Sequence, residues 1–138
     1  MRKVFADTFY FIAVTNPRDR WHMRVWAVEA ELGDIRIVTT EEVLIEFLTA
    51  LSGGGAFLRT RAVQIVRTLY TNPNVVVIPQ SSSSFSRGMD FYEQRDDKQY
   101  SLTDRISMNA LIDEGIGDVL TNDHHFAQES FNVLIPRL

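Results

Sequence analysis

The chain predicts an α/β fold of three layers, with a central, mainly parallel sheet between helices on both faces. Short apolar runs rich in β-branched residues alternate with longer segments of helical spacing throughout the 138 residues, the signature of strand–helix–strand units. One such run, Val75-Val76-Val77-Ile78, is apolar without a break, as expected of a parallel strand covered on both sides. The length and a 45% apolar content suit one ordinary core, so a single domain over residues 1–138 is expected.

Val4 to Ala6 reads as the first strand, stopping at Asp7, and Thr8 to Ala13 is apolar enough for a buried helix. From Arg18 to Leu32, Trp21, Val25, Val28 and Leu32 recur at helical spacing, with Gly33 as the terminator. Ile35 to Val38 is the second strand. Thr39 and Thr40 then offer hydroxyl caps, and Thr39 with Glu42 has capping-box spacing for a helix to about Leu51. Gly53-Gly54-Gly55 breaks that helix, Phe57 to Tyr70 forms another, and Asn72-Pro73-Asn74 turns into the third strand at Val75. The serines from Ser81 to Ser84 cap a helix from Phe85 to about Gln94. Asp96-Asp97-Lys98 is a loop, and Ser101 with Asp104 opens a capped helix that ends at Gly115 or Gly117. Val119 to Thr121 and Asn132 to Ile135, before Pro136, complete the strands.

Composition narrows the chemistry. There is no cysteine, which removes disulfides, thiolate nucleophiles and cysteine zinc sites. An acid arrives at position 7, early for a secretory signal, and no apolar run approaches the roughly 18 residues of a membrane span. A cytoplasmic protein with no membrane association is the expectation. The formal charge of −4 reflects 18 acidic against 14 basic residues, so a nucleic-acid partner would have to be held by ions or local basic patches rather than by a global field.

Four acids lie where elements start, stop or turn a flank inward: Asp7 and Asp123 after strands, Asp104 in the first turn of a helix, and Glu46 beside an apolar helical face. At about 100° per residue, Val43, Leu44, Phe47, Leu48 and Leu51 share that face. Glu42 points away from it, Glu46 borders it, and Glu41 borders the other side as the chief rival. Ligands of open parallel sheets gather at the carboxyl ends of strands. Singly, each acid has an ordinary reading as a cap, turn or solvated residue. Acids converging in one cleft would repel unless a cation neutralised them, and oxygen-only ligands favour Mg²⁺ or Mn²⁺. Such ions commonly serve phosphodiester hydrolysis by activating water and stabilising the attacking and leaving oxygens.

These residues resemble the PIN-domain family, and within it the VapC-like ribonuclease toxins. The pieces are Val4-Phe5-Ala6-Asp7-Thr8, Glu46, Tyr100-Ser101-Leu102-Thr103-Asp104 after Asp97-Lys98, and Leu120-Thr121-Asn122-Asp123-His124-His125-Phe126. The resemblance implies a PIN-like fold and a metal-dependent endoribonuclease whose acidic quartet, Asp7, Glu46, Asp104 and Asp123, holds one or two Mg²⁺ or Mn²⁺ ions. It further implies that Thr8 and Thr121 orient the acids from behind, that the substrate is RNA, and that a small antitoxin protein silences the enzyme. Phe9 and Arg105 depart from the family pattern, which favours small or apolar residues there. Arg105 reads as a surface arginine at a helix start, with a phosphate clamp as the alternative.

His124 and His125 read as loop histidines rather than ligands, since adjacent histidines do not readily share an ion and His22 is remote in sequence. Gly53-Gly54-Gly55 lacks a P-loop ending, and the serine run lacks a nucleophile-elbow pattern. Trp21, His22, Met23 and Trp26 suit either core packing or an interface, a homodimer included. Arg59, Arg61, Arg67 and Arg87 suit either a solvated face or an RNA-backbone guide. Two rivals to the ribonuclease reading remain: a structure-specific DNA nuclease using the same acids, and a non-catalytic PIN-like module that binds RNA or protein.

Overall fold

In a computed structural model, residues 1–135 are described, and they form an α/β/α sandwich around an all-parallel sheet. In chain order the elements are β1 (Arg2–Ala6), α1 (Thr8–Thr15), α2 (His22–Leu32), β2 (Ile35–Thr40), α3 (Glu41–Ala50), α4 (Ala56–Thr71), β3 (Val75–Ile78), α5 (Ser82–Gln94), α6 (Leu102–Glu114), β4 (Asp118–Leu120), α7 (His124–Gln128) and β5 (Asn132–Val133). The strand order is β3-β2-β1-β4-β5. From β1 the chain steps outward to β2 and β3, then crosses back past β1 to β4. With right-handed crossovers, the reversal puts α1 to α4 on one face and α5 and α6 on the other. It also opens a crevice between the carboxyl ends of β1 and β4, where doubly wound sheets bind ligands.

Local chemistry explains most of the boundaries. Ser101 accepts the Asp104 amide while Asp104 accepts the Ser101 amide, the reciprocal box expected at the start of α6. Gly115 ends that helix in the left-handed conformation at φ 66°. Ser81 and Ser84 make an equivalent box, so α5 starts at Ser82, within the serine run rather than after it. Gly88 of α5 matters for packing: a Cβ there would lie 2.6 Å from Ile106 Cγ1, so its absence lets α5 sit close on α6.

Four local expectations are corrected. Asn16 and Asp19 side chains take the Arg18 and Trp21 amides in tight turns, and α2 therefore starts at His22 rather than Arg18. Thr40, not Thr39, caps α3 by accepting the Val43 amide, whereas the Thr39 hydroxyl donates across to the Ala6 carbonyl of β1. β3 is an edge strand with Val76 40% exposed, so its apolar run is covered less than a central strand would be. The last strand ends at Val133, and Pro136 lies outside the described residues.

The core is one cluster joining both helical layers to the sheet. Val4, Phe5 and Ala6 of β1, Val38 of β2, Val119 and Leu120 of β4, Phe11 of α1, Phe47 of α3 and Met108 and Leu111 of α6 are almost wholly buried. Each large side chain of this set contributes about 1.5–3 kcal/mol by leaving water. The aromatic group on α2 divides: Trp21 packs edge-on against Phe9, with centroids 5.5 Å apart, while Met23 and Trp26 face solvent. No helix among the described residues is long and apolar enough to cross a membrane.

Candidate metal centre

Pairing Phe5 with Val119 and Ala6 with Leu120 brings the residues beyond these strand ends side by side. The Thr121 hydroxyl donates to Asp7 Oδ2 at 2.9 Å inside the core and accepts the Asp123 amide at 3.1 Å. One buried threonine thereby ties both strand-end acids together. On the other side of Asp7, the Thr8 hydroxyl donates to Glu46 Oε1 at 2.6 Å, joining α1 to α3. Asp104 enters from the first turn of α6, a position where the helix dipole favours an anion.

Asp7, Glu46, Asp104 and Asp123 lie near enough for their charges to act on one another, although the group within ligand distance is Asp104, Asp123 and His125 and does not include Asp7 or Glu46. Asp7 is buried, and its carboxyl is pushed up to about 7, first by burial and further by the charges of Asp104 and Glu46; amide and hydroxyl donation from Thr8 and Thr121 restrains the shift. Asp104 is also raised, by burial first and then by Asp123 and Glu46, with donation from the Ser101 amide opposing. In both cases burial is the larger cause, and repulsion from neighbouring carboxylates adds to it. Glu41, the rival acid, is turned away. It accepts from Tyr70 Oη at 2.7 Å and from the Gln80 amide at 2.9 Å, contacts that hold its carboxyl below the ordinary range.

The region around Asp123 differs from expectation. His124 and His125 are the first residues of the short helix α7, for which Asp123 is the cap, its Oδ1 accepting the His125 amide at 3.0 Å. His125 Nδ1 lies 3.2 Å from the same oxygen. Asp104, Asp123 and His125 each offer a ligand atom within 4.8 Å of the other two. This grouping is compatible with a divalent ion, since bonds of about 2.1 Å draw neighbouring donors to about 3 Å. The raised carboxyls of Asp7 and Asp104 would be relieved by the same positive charge. The sequence contained a usable signal for α7, an aspartate cap followed by Phe126 and Ala127 in helix-compatible order.

Arg105 is the second correction. It is 1% exposed rather than on the surface, with its guanidinium stacked 3.9 Å from the Tyr100 centroid and 4.3 Å from that of Phe91. It donates to the Arg95 carbonyl at 3.1 Å and lies 4.0 Å from Glu129. It therefore braces the segment between α5 and α6 through Nη2 and its stacked faces, while Nε and Nη1 make no hydrogen bond among the described residues; its burial, rather than saturation of its donors, keeps it from a phosphate in solvent. Of the arginines considered for RNA guidance, Arg87 is held bidentately by Asp113 at 2.6 and 3.1 Å, and Arg59 donates to the Ser52 carbonyl.

No family model and no curated protein matches this sequence. In three dimensions the chain is similar to the crystal structure of Mycobacterium tuberculosis VapC20, described as a sarcin–ricin loop cleaving toxin. The TM-score is 0.81 at 21% identity, over 93% of this chain and 95% of that one. The all-parallel five-stranded sheet, its strand order and this likeness together give the chain a PIN-like α/β/α fold.

Proposed function

We propose that this protein is a divalent-metal-dependent endoribonuclease, the toxin of a toxin–antitoxin pair, acting in the cytoplasm as one domain and silenced by a small antitoxin protein. The observation that carries this reading is the state of Asp7. A carboxyl buried beyond the end of β1, tied through Thr121 to Asp123 and raised by burial and by the charges of Asp104 and Glu46, is costly without a cation and useful with one. The toxin activity named for the similar M. tuberculosis structure points the same way.

In this reading Asp7, Asp104 and Asp123 hold the ion, while Glu46 completes the site or positions the attacking water. Thr121 fixes Asp7 and Asp123 relative to each other, and Thr8 fixes the Glu46 carboxylate. The ion, Mg²⁺ or Mn²⁺, supplies charge stabilisation for the phosphodiester and lowers the cost of deprotonating water. The α7 cap fixes the orientation of the partly exposed Asp123 carboxylate. Cleavage of RNA and of DNA of identical sequence, with each ion and with excess chelator, tests the proposal. Cleavage of RNA alone, abolished by chelator and by Asp104→Asn, is the expected result; activity surviving both overturns it.

A further inference from the structure

We propose that His125 gives this site a nitrogen donor, making it selective for a first-row transition ion over Mg²⁺. The inference rests on the divalent-ion reading above and extends it to which ion is taken. Three observations carry it. First, the histidine joins Asp104 and Asp123 in a group of donors that all lie within 4.8 Å of one another. Second, the 3.2 Å between His125 Nδ1 and Asp123 Oδ1 is close to the edge of an octahedron with bonds of about 2.1 Å. The same oxygen already accepts the His125 backbone amide at 3.0 Å, so backbone and ring both converge on this carboxylate.

Third, the ring is held rather than loose. Tyr100, itself buried, packs against His125 with centroids 5.1 Å apart, and on its other contacts lies 3.9 Å from the Arg105 guanidinium. Arg105 in turn rests on Phe91 of α5. The stack Phe91–Arg105–Tyr100–His125 thus runs from α5 to the crevice and restricts the imidazole to one side of Asp123. A ligand held this way loses little freedom when it binds. Mg²⁺ demands oxygen donors, whereas imidazole strengthens binding along the series from Mn²⁺ to Co²⁺ and Ni²⁺. A site of carboxylates alone would discriminate less.

The test measures binding of Mg²⁺, Mn²⁺ and Co²⁺ to the full chain by calorimetry, with pulsed electron paramagnetic resonance of bound Mn²⁺ to detect a coordinated imidazole nitrogen. Wild type is expected to show the nitrogen signal. His125→Ala is expected to lose that signal and weaken Co²⁺ and Mn²⁺ binding by about tenfold or more, while Mg²⁺ affinity stays within about twofold. Retained Mg²⁺ binding also reports that the variant is folded, and His125→Gln provides a second, polar replacement. His124→Ala should leave the nitrogen signal intact. The inference is overturned if wild type binds ions with no nitrogen signal, if the signal follows His124, or if His125→Ala weakens all three ions equally. Should wild type bind none of the ions, and Asp104→Asn behave identically, the divalent-ion reading itself fails along with this one.

Discussion

Asp7 and Arg105 are both charged side chains taken out of water, at 6% and 1% exposure, and the fold treats them in opposite ways. Arg105 is placed against groups that attract a cation, namely two aromatic faces, a backbone carbonyl and the Glu129 carboxylate at 4.0 Å, although its Nε and Nη1 make no hydrogen bond among the described residues and burial pulls its guanidinium below the usual range. Asp7 is surrounded by what an anion must avoid, and hydroxyl and amide donation only partly offsets it. A buried charge packed against attracting groups of its own protein can brace structure even when it is not fully hydrogen-bonded. One left mismatched at a crevice marks where something from outside is expected to complete it.

The largest effect should separate activity from stability at Asp7. Asp7→Asn is expected to lower ion-dependent RNA cleavage by about a thousandfold or more, measured on a labelled RNA. The same variant should stabilise the metal-free protein above pH 7, by on the order of 2–4 kcal/mol, in denaturant titrations. The sign follows from the raised carboxyl. Between about 4 and about 7 the folded state keeps a proton that the unfolded state has released, so wild-type stability falls as pH rises through that window. Asp7→Asn should reduce that slope, the raised Asp104 contributing a remainder of the same sign; an unchanged slope would show that Asp7 is not a group responsible.

Arg105→Ala should move stability the other way, costing about 3 kcal/mol through lost stacking and packing, seen as a lower midpoint of thermal unfolding. A neutral result would mean that the stack contributes nothing and that the two buried charges are not distinguished as described. Thr121→Val is a smaller probe of the same contrast. It removes the hydroxyl that donates to Asp7 and accepts from Asp123. A loss of about 1–2 kcal/mol is expected, with the Asp7 carboxyl rising further in a nuclear magnetic resonance titration. Glu41→Gln should do least, within about 0.5 kcal/mol and with cleavage unchanged, because its partners are exposed and away from the crevice.

Much of this was legible in the chain because the interactions concerned are local. The Ser101–Asp104 box, the Gly115 terminator and the inward flank of Glu46 each depend on residues within a turn or two of one another. The helical wheel puts Glu46 rather than Glu41 beside the apolar face, and in the structure Glu46 accepts from Thr8 next to Asp7, whereas Glu41 accepts from Tyr70. The Thr39 reading failed for the opposite reason. A threonine hydroxyl can accept a helix amide as a cap or donate elsewhere, and that of Thr39 donates to the Ala6 carbonyl on another strand. Arg105 looked like a surface residue because nothing near it in sequence announces that Phe91 and Tyr100 close around it. His125 looked like a loop residue because its neighbours in the crevice include Asp104 of α6.

By itself the sequence determined the alternation of strands and helices, most of their caps, and which acids stand at strand ends and helix starts, since periodicity and capping act over a few residues. Tertiary structure decided the strand order, the exposed edge at β3, the burial of Arg105 and the meeting of Asp7, Glu46, Asp104 and Asp123 around one crevice. Those outcomes depend on groups far apart in the chain, whose desolvation and mutual repulsion exist only once the sheet has brought them together.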